Sequence, residues 1–225
     1  MPSSQHYHIS KIMDLIVALK PNSVLDIGSG YGKYGVLCRE YLELWDGRQN
    51  YNQRLRRIDS VEVFKDYITP IHNFVYDHVY VGNILTLIDE IRFHYDLVLL
   101  IDVLEHLSKT DGIFLLKTIL ERNGGVIVST PKNPTVQTGA FGNIFETHIS
   151  KWTKSELEAI GDSLFISDSV SVIGYLSKNG QTRQLRNELI LNNIWKNPAI
   201  SSLISNWKYH SNKYIKNKLF RKHRK

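Results

Sequence analysis

Short apolar runs alternate with helical periodicity from the N-terminus to about residue 180. Runs halted by glycine or by a polar residue predict buried strands, and they lie at 23–27, 58–63, 79–81, 95–101 and 126–130, with alternation at 165–176 that has room for two more. Apolar residues at helical spacing predict helices at 4–20, 33–44, 108–121 and after Thr153. Strands that alternate with helices predict an α/β fold, with a doubly wound, mostly parallel sheet covered on both faces.

The pattern becomes helical again after residue 181, beyond the normal end of such a sheet. We therefore expect one domain over residues 1–181, which includes the helix at 4–20, and a C-terminal helical extension over 182–225. The net charge of +6 belongs to the end of that extension, because residues 208–225 hold eight Lys or Arg and no acid, which leaves −2 for the rest of the chain. A basic, partly apolar tail is typical of a peripheral membrane contact, of a nucleic-acid contact or of a solvated terminus.

Composition favours a cytoplasmic protein. No apolar run approaches the ~20 residues that span a bilayer, and the run Leu15 to Leu19 is too short for the core of a signal peptide. The single cysteine, Cys38, excludes an intramolecular disulfide and suits a reducing compartment. Its place in a predicted helix favours a packing role.

A glycine-rich turn follows the first predicted strand. In the segment VLDIGSGYG (24–32) the glycines let the backbone turn sharply and approach a ligand closely. The spacing from Gly30 to Gly35 matches a dinucleotide fingerprint by letter, but the first glycine after the strand is Gly28. Asp26 inside the strand would repel a pyrophosphate and suits a cationic amino group. Glu62, at the end of the second strand, suits the two hydroxyls of an adenosine ribose.

Together these residues resemble class I S-adenosylmethionine-dependent methyltransferases, a Rossmann-like family. The resemblance covers roughly residues 20–180 and also rests on Gly82-Asn83 after the third strand and on YDLVLLIDVLEHL around the fourth. It implies a seven-stranded sheet and S-adenosylmethionine as cofactor, with the methionine part against Asp26 and the glycine loop, the ribose at Glu62 and the adenine beside Asn83. The residues that the resemblance assigns to the cofactor are Asp26, Gly28, Ser29, Gly30, Tyr31, Gly32, Glu62, Val63, Asn83, Ile84 and Asp102.

A second polar cluster follows the fourth predicted strand. Asp102, Glu105 and His106 are three and four positions apart, so any helical turn brings them together. His148 lies in the loop after the fifth strand, which returns over the ligand-binding ends of the strands. In one interpretation His148 or His106 is a catalytic general base that works near neutral pH, and in a plainer one His106 bonds only to the backbone.

In another interpretation Asp102, Glu105, His106 and His148 bind Mg²⁺ or another divalent metal. The spacing resembles the Glu-x-x-Glu-His and distant His of small-RNA 2′-O-methyltransferases, with Asp in place of the first Glu, and related elements occur in ubiquinone-biosynthesis O-methyltransferases. A metal would lower the pKa of a coordinated hydroxyl and orient it.

The function that these patterns favour is O-methylation of a small metabolite, a sugar or a glycan precursor. The mildly acidic body of the chain disfavours a nucleic-acid substrate without excluding it. An RNA 2′-O-methyltransferase that uses a metal, a non-catalytic cofactor-binding protein and a dinucleotide oxidoreductase stay open as alternatives. The acceptor and the oligomeric state cannot be read from the sequence.

Overall fold

The buried apolar runs form one seven-stranded sheet in a computed structural model, which describes residues 4, 6–44, 53–178 and 180–196. The strands are β1 (Ser23–Ile27), β2 (Arg57–Glu62), β3 (His78–Val81), β4 (Leu97–Ile101), β5 (Gly125–Pro131), β6 (Asp162–Ile166) and β7 (Ser171–Ser177). Their order is β3-β2-β1-β4-β5-β7-β6. The first five strands pair in parallel, whereas β7 is antiparallel to both β5 and β6. The predicted α/β fold with a mostly parallel seven-stranded sheet is confirmed.

The described residues contain seven α-helices, of which α1 precedes the first strand and the others connect or follow the strands. They are α1 (Ile9–Leu19), α2 (Lys33–Cys38), α3 (Pro70–Val75), α4 (Ile84–Leu87), α5 (Lys109–Arg122), α6 (Lys154–Glu158) and α7 (Thr182–Lys196). Two of them begin with side-chain caps: Ser108 accepts a hydrogen bond from the Asp111 amide, and Thr153 forms a capping box with Glu156.

Two predicted helices are shorter than expected. The helix predicted at 4–20 is regular only over Ile9–Leu19, because the apolar periodicity starts at Ile9 and the turn before it, His6–His8, is a 3₁₀ helix. The helix predicted at 33–44 widens into a π-helical turn at Arg39–Leu44. From its composition the polar stretch 45–57 is expected to be an exposed excursion, and most of it lies outside the described residues.

The core of the protein lies on both faces of the sheet. Every residue of β1 and β4 is buried, as expected for central parallel strands covered on both sides. In the strand register Ile27 is opposite Val61 of β2 and Leu100 of β4. The residues that follow these three strands therefore meet at one edge of the sheet. That edge is also where neighbouring connections diverge, which is where open α/β sheets bind ligands.

The chain divides into two compact units, Met1–Leu185 and Arg186–Lys225. The predicted C-terminal extension begins with α7, and the basic residues 208–225 lie outside the described residues. Within the described part of the chain, none of the helices combines the length and the apolar character that a membrane crossing requires.

Candidate active site

A cavity of about 770 Å³ lies at the carboxyl ends of the central strands, a size that is typical of ligand pockets. All but two of the residues predicted for the cofactor, the metal or catalysis line it: Asp26, Gly28, Ser29, Gly30, Glu62, Val63, Asn83, Ile84, Asp102, Glu105, His106 and His148. The exceptions are Tyr31 and Gly32. The half-exposed ring of Tyr31 packs edge-on against Tyr67, and Gly32 caps α2 and faces Tyr76.

The loop after β1 needs glycine at its first position. Gly28 has φ +71°, and a Cβ built on it would lie 2.6 Å from Cγ2 of Val103. Its amide donates a hydrogen bond to the carbonyl of Val61 at 2.8 Å, which holds the turn against β2. A side chain at Gly28 would therefore strain the backbone and push into the residue that follows Asp102.

Glu62 ties the end of β2 to this loop. Its carboxylate accepts hydrogen bonds from the amides of Gly30 at 2.8 Å and Phe64 at 3.0 Å. Burial raises the pKa of Glu62 although both hydrogen bonds act to lower it. The amide of Val63 also contributes a hydrogen bond. A carboxylate has about four acceptor positions, so one remains for a hydroxyl of a ribose.

Asp26 has a partner that the sequence does not reveal. The hydroxyl of Tyr76, at the end of α3, donates to its Oδ2 at 2.6 Å, and both side chains are buried. Burial raises the pKa of Asp26 to about 6, and the nearby Glu62 carboxylate adds to this, while the Tyr76 hydrogen bond opposes it. Gly35 makes room for this contact, since a Cβ there would lie 2.4 Å from the Tyr76 ring. The glycine at 35 thus serves helix packing.

A buried histidine, His72, braces the glycine loop from α3. The amide of Thr69 donates to its Nδ1 at 3.1 Å, so Nε2 carries the proton of the neutral ring. That Nε2 lies 3.4 Å from the hydroxyl of Ser29. The loop is therefore held on both sides, by Glu62 and by His72.

Asn83 begins α4, and its Oδ1 accepts a hydrogen bond from the amide of Leu85 at 3.0 Å. One lone pair of that oxygen is therefore used for capping, and the other remains for the predicted contact with adenine. The cavity is lined here by Asn83, Ile84 and Val63.

Asp102 lies apart from the predicted metal ligands. It has φ +54°, its Oδ1 accepts from the hydroxyl of Ser129 at 2.5 Å, and its Oδ2 lies 3.7 Å from Nε2 of the buried His8. The left-handed backbone directs the carboxylate toward the N-terminal segment, which also lines the cavity through Ser4. Lys33 bonds to the Ser4 carbonyl at 2.8 Å.

Three of the four predicted metal ligands do come together. Glu105, His106 and His148 each offer one ligand atom, and these atoms lie within 4.8 Å of one another. Glu105 is 1% exposed, and its Oε2 has no hydrogen-bond partner among the described residues. Burial, together with the charge of Asp102, raises the pKa of Glu105 to about 8.

The two histidines are held in one tautomer. Nδ1 of His106 lies 3.1 Å from the carbonyl of Thr147, and Nδ1 of His148 lies 2.8 Å from the carbonyl of Thr135. A carbonyl can only accept, so both Nδ1 atoms carry protons and both Nε2 atoms keep a lone pair. Burial lowers the pKa of His106, and the adjacent His148 adds to this.

No protein-family model matches the chain, and no curated protein matches it by sequence. Solved structures do match. The N-terminal domain of EvdMO1 with S-adenosylhomocysteine bound has a TM-score of 0.57 at 12% identity, over 78% of this chain and 83% of that one. PigF with S-adenosylhomocysteine gives 0.52 at 16%, over 76% and 56% of the two chains. An O-methyltransferase family protein from Burkholderia thailandensis gives 0.50 at 14%, over 76% and 57%.

The chain has the class I methyltransferase fold. In this methyltransferase fold the predicted cofactor residues other than Tyr31 and Gly32 line one cavity, and the resemblance read from the glycine loop is confirmed at the level of the fold. The sequence missed Tyr76, His72, His8 and Tyr67. Of these, Tyr76 has an indirect signal in the sequence, because a glycine within a helix, Gly35, indicates a position where a large side chain packs closely.

Proposed function

We propose that this protein is an S-adenosylmethionine-dependent methyltransferase that acts on a hydroxyl of a small metabolite, a sugar or a glycan precursor. The observation that carries the proposal is the group formed by Glu105, His106 and His148 beside the cavity, with both histidines held in the tautomer that presents Nε2. A fold that only bound a cofactor would not need this arrangement.

The charge of the cavity favours a cationic cofactor. Among the described residues it is lined by five acidic side chains, those of Asp26, Glu62, Asp102, Glu105 and Glu146, against one lysine, Lys33, although Glu105, with its pKa of about 8, is mostly protonated at neutral pH when no cation is bound. S-adenosylmethionine carries an ammonium and a sulfonium, and when bound it supplies an activated methyl group. The pyrophosphate of a dinucleotide would instead be repelled by the same carboxylates. We assign Asp26 to bind the ammonium group of the cofactor, and Glu62 to accept a hydrogen bond from a ribose hydroxyl.

The residues fit a divalent cation. Histidines that bind metals commonly donate their other ring N–H to a backbone carbonyl, as His106 and His148 do here, and the buried Oε2 of Glu105 has no partner among the described residues. One oxygen and two nitrogen ligands suit Mn²⁺ or another first-row ion, and also Mg²⁺ with water completing its shell. A cation at this place supplies Lewis acidity that lowers the pKa of an acceptor hydroxyl.

Without a metal, Nε2 of His148 is the base that the geometry offers. Its lone pair can accept the proton of an acceptor hydroxyl, while the carbonyl of Thr135 holds Nδ1–H and stabilises the charged ring that results. His148 is half-buried and lines the cavity, so an acceptor can reach it.

The carboxylates of the cavity also limit which methyl acceptors can bind. A neutral, hydroxylated acceptor can enter beside them, whereas the phosphates of RNA would be repelled. The N-terminal domain of EvdMO1 has also been solved in the presence of S-adenosylhomocysteine and D-fucose, with a TM-score of 0.57 at 13% identity. That observation supports testing deoxysugars first.

The test measures release of S-adenosylhomocysteine from S-adenosylmethionine with a panel of sugars, deoxysugars and short RNAs. We expect turnover with a neutral hydroxylated acceptor, loss of turnover in EDTA, and recovery with Mn²⁺ or Mg²⁺. His148→Asn should lower kcat by about 10²–10⁴-fold and leave S-adenosylhomocysteine affinity by calorimetry unchanged. The control is His94→Asn, since His94 is exposed and does not line the cavity.

The possible results separate the alternatives. Turnover that is insensitive to EDTA but lost in His148→Asn would support His148 as a general base and exclude a catalytic metal. Tight S-adenosylhomocysteine binding with no turnover of any acceptor would favour a non-catalytic protein. Tight binding of NADH in place of S-adenosylhomocysteine would overturn the proposal altogether.

A further inference from the structure

The segment between β5 and α6 forms a hairpin over the cavity, which we call the tip hairpin (residues 135–148). Its two limbs run antiparallel: the amide of His148 donates to the carbonyl of Gln137 at 3.1 Å, and the amide of Asn143 donates to the carbonyl of Ala140 at 2.9 Å. Ala140 and Asn143 form a β-bridge that closes the turn. The turn itself is Phe141-Gly142.

One face of the tip hairpin lines the cavity and the other faces solvent. Thr135 and Gln137 line the cavity, whereas Val136 between them is 99% exposed. This is the alternation of an extended chain. The hairpin therefore presents an outer surface at the mouth of the cavity.

That outer surface is apolar. Phe141 is 64% exposed and Ile144 is 75% exposed, and Ile149, just after the hairpin, is also exposed. Phe145 is exposed too, but it lines the cavity and does not belong to the outer surface. With Val136, the outer surface has four large exposed hydrophobic side chains within fourteen consecutive residues, 136–149. Scattered exposed hydrophobic residues need no explanation, but a concentration of this kind marks a surface that contacts something else.

The backbone of the turn is strained at Phe141, whose side chain is exposed. Phe141 has φ +55° and Gly142 has φ +74°, and two successive positive φ values suit Asn, Asp or Gly. A bulky residue is disfavoured there. Phe141 is largely exposed, so contacts within the folded chain do not compensate for this strain. Strain of this kind tends to persist where an external contact uses the residue.

Charge identifies the partner. Between Pro131 and Thr153 the only acid in the sequence is Glu146, and it is nearly buried and accepts a hydrogen bond from Tyr67. The other charged residues of this stretch are Lys132 and Lys151. No exposed carboxylate on the segment would repel anionic headgroups. We propose that the tip hairpin inserts into an anionic lipid surface through Phe141 and Ile144.

The proposal goes beyond methyl transfer and does not depend on it. The hairpin itself contains no Lys or Arg, but Lys132 and Lys151 precede and follow it. Basic residues that flank an apolar segment are a combination by which peripheral segments lie at a lipid interface. A second protein copy would bury the same side chains, but it would not need the segment to lack exposed carboxylates. The basic residues 208–225 would also attract anionic lipid if they are accessible, so the experiment must report on the hairpin itself.

A local label provides that report. Cys38 is the one cysteine of the chain and is 0% exposed, and burial raises the pKa of its thiol, so it reacts poorly with labelling reagents. In full-length Phe141→Cys labelled with an environment-sensitive dye, we expect a blue shift on adding phosphatidylcholine–phosphatidylglycerol vesicles. The matched control is Phe114→Cys, because Phe114 is also about half-exposed but lies on α5. No shift at 141, or equal shifts at both positions, would overturn the proposal.

An unlabelled variant completes the test. The double change Phe141→Asn and Ile144→Asn should reduce vesicle co-sedimentation by about tenfold or more, whereas Phe114→Asn should leave it unchanged. Asn tolerates positive φ, so the double variant should fold, and S-adenosylhomocysteine binding by calorimetry checks this independently of lipid. A blue shift at 141 that appears without vesicles and grows with protein concentration would instead identify a second copy as the partner, against the proposal.

Discussion

Replacing Asp26 with Asn should stabilise the protein without cofactor and abolish cofactor binding. Burial raises the pKa of Asp26 from 3.8 to about 6, which corresponds to about 3 kcal/mol at 1.36 kcal/mol for each pKa unit. The native state binds this proton more tightly than the unfolded state does. Stability is therefore lost as the pH rises from about 4 to about 6, and the full cost is present at pH 7.5. Asn carries no charge and avoids this cost.

The gain will be smaller than 3 kcal/mol. The Asp26 carboxylate also accepts a backbone hydrogen bond from Gly35, and an Asn amide that turned its NH₂ toward that donor would lose about 1 kcal/mol. About 2 kcal/mol remains, which for a chain of this size raises Tm by roughly 4–8 °C. The assay is thermal unfolding of cofactor-free protein, because a bound ligand would stabilise the wild type alone.

A second buried aspartate provides the control. Asp59 on β2 accepts a hydrogen bond from Arg57 at 2.7 Å and another from the hydroxyl of Tyr95. Asp59→Asn breaks an ion pair and should lower Tm. Asp26→Asn should raise Tm at pH 7.5, and the gain should shrink as the pH falls toward 4. A lower Tm for Asp26→Asn at pH 7.5, or a gain that does not change with pH, would refute the reasoning.

Two further substitutions test the loop and its support. Gly28→Ala should weaken S-adenosylhomocysteine binding in calorimetry by about tenfold or more, because the new Cβ would meet Val103 and the φ of residue 28 is positive. Adding Val103→Ala removes the steric contact but not the backbone strain, so it should recover only part of the affinity. Full recovery would show that backbone strain does not matter. Tyr76→Phe removes a hydrogen bond that lowers the pKa of Asp26, so the pH at which affinity is half-maximal should rise above about 6; a loss of affinity that is the same at every pH would contradict this role.

The sheet could be predicted from the sequence because its central strands are buried on both faces. β4 is a continuous apolar run, and β1 and β5 are built on the short apolar runs Val24-Leu25 and Val126-Ile127-Val128, with glycine or polar residues next to them. Short buried runs of this kind predict strands. The first turn of the predicted helix at 4–20 was wrong because its polar residues carry no periodicity, and the π-helical turn after Cys38 has no signal in the pattern.

The site could be predicted only where it is local. Asp26, Glu62 and the glycine loop lie at strand ends, where position alone assigns a role. The partners of these residues come from distant sequence positions: Tyr76 is 50 residues from Asp26, and His72 is 43 residues from Ser29. A hydrogen bond over that separation depends on how α3 packs against the sheet, which no periodicity encodes.

The buried carboxylates of the site lower the stability of the folded state, and this loss of stability supports a function. The pKa of Asp26 is raised to about 6 and that of Glu105 to about 8, in both cases chiefly by burial. Buried carboxylates without a compensating charge destabilise a protein, and selection for stability alone would replace them. Each of the two lies where a cation would offset its charge: the ammonium of the cofactor at Asp26, and a metal between Glu105 and His148. A protein that only bound the cofactor would need the first carboxylate and not the second, so the cost at Glu105 argues for catalysis.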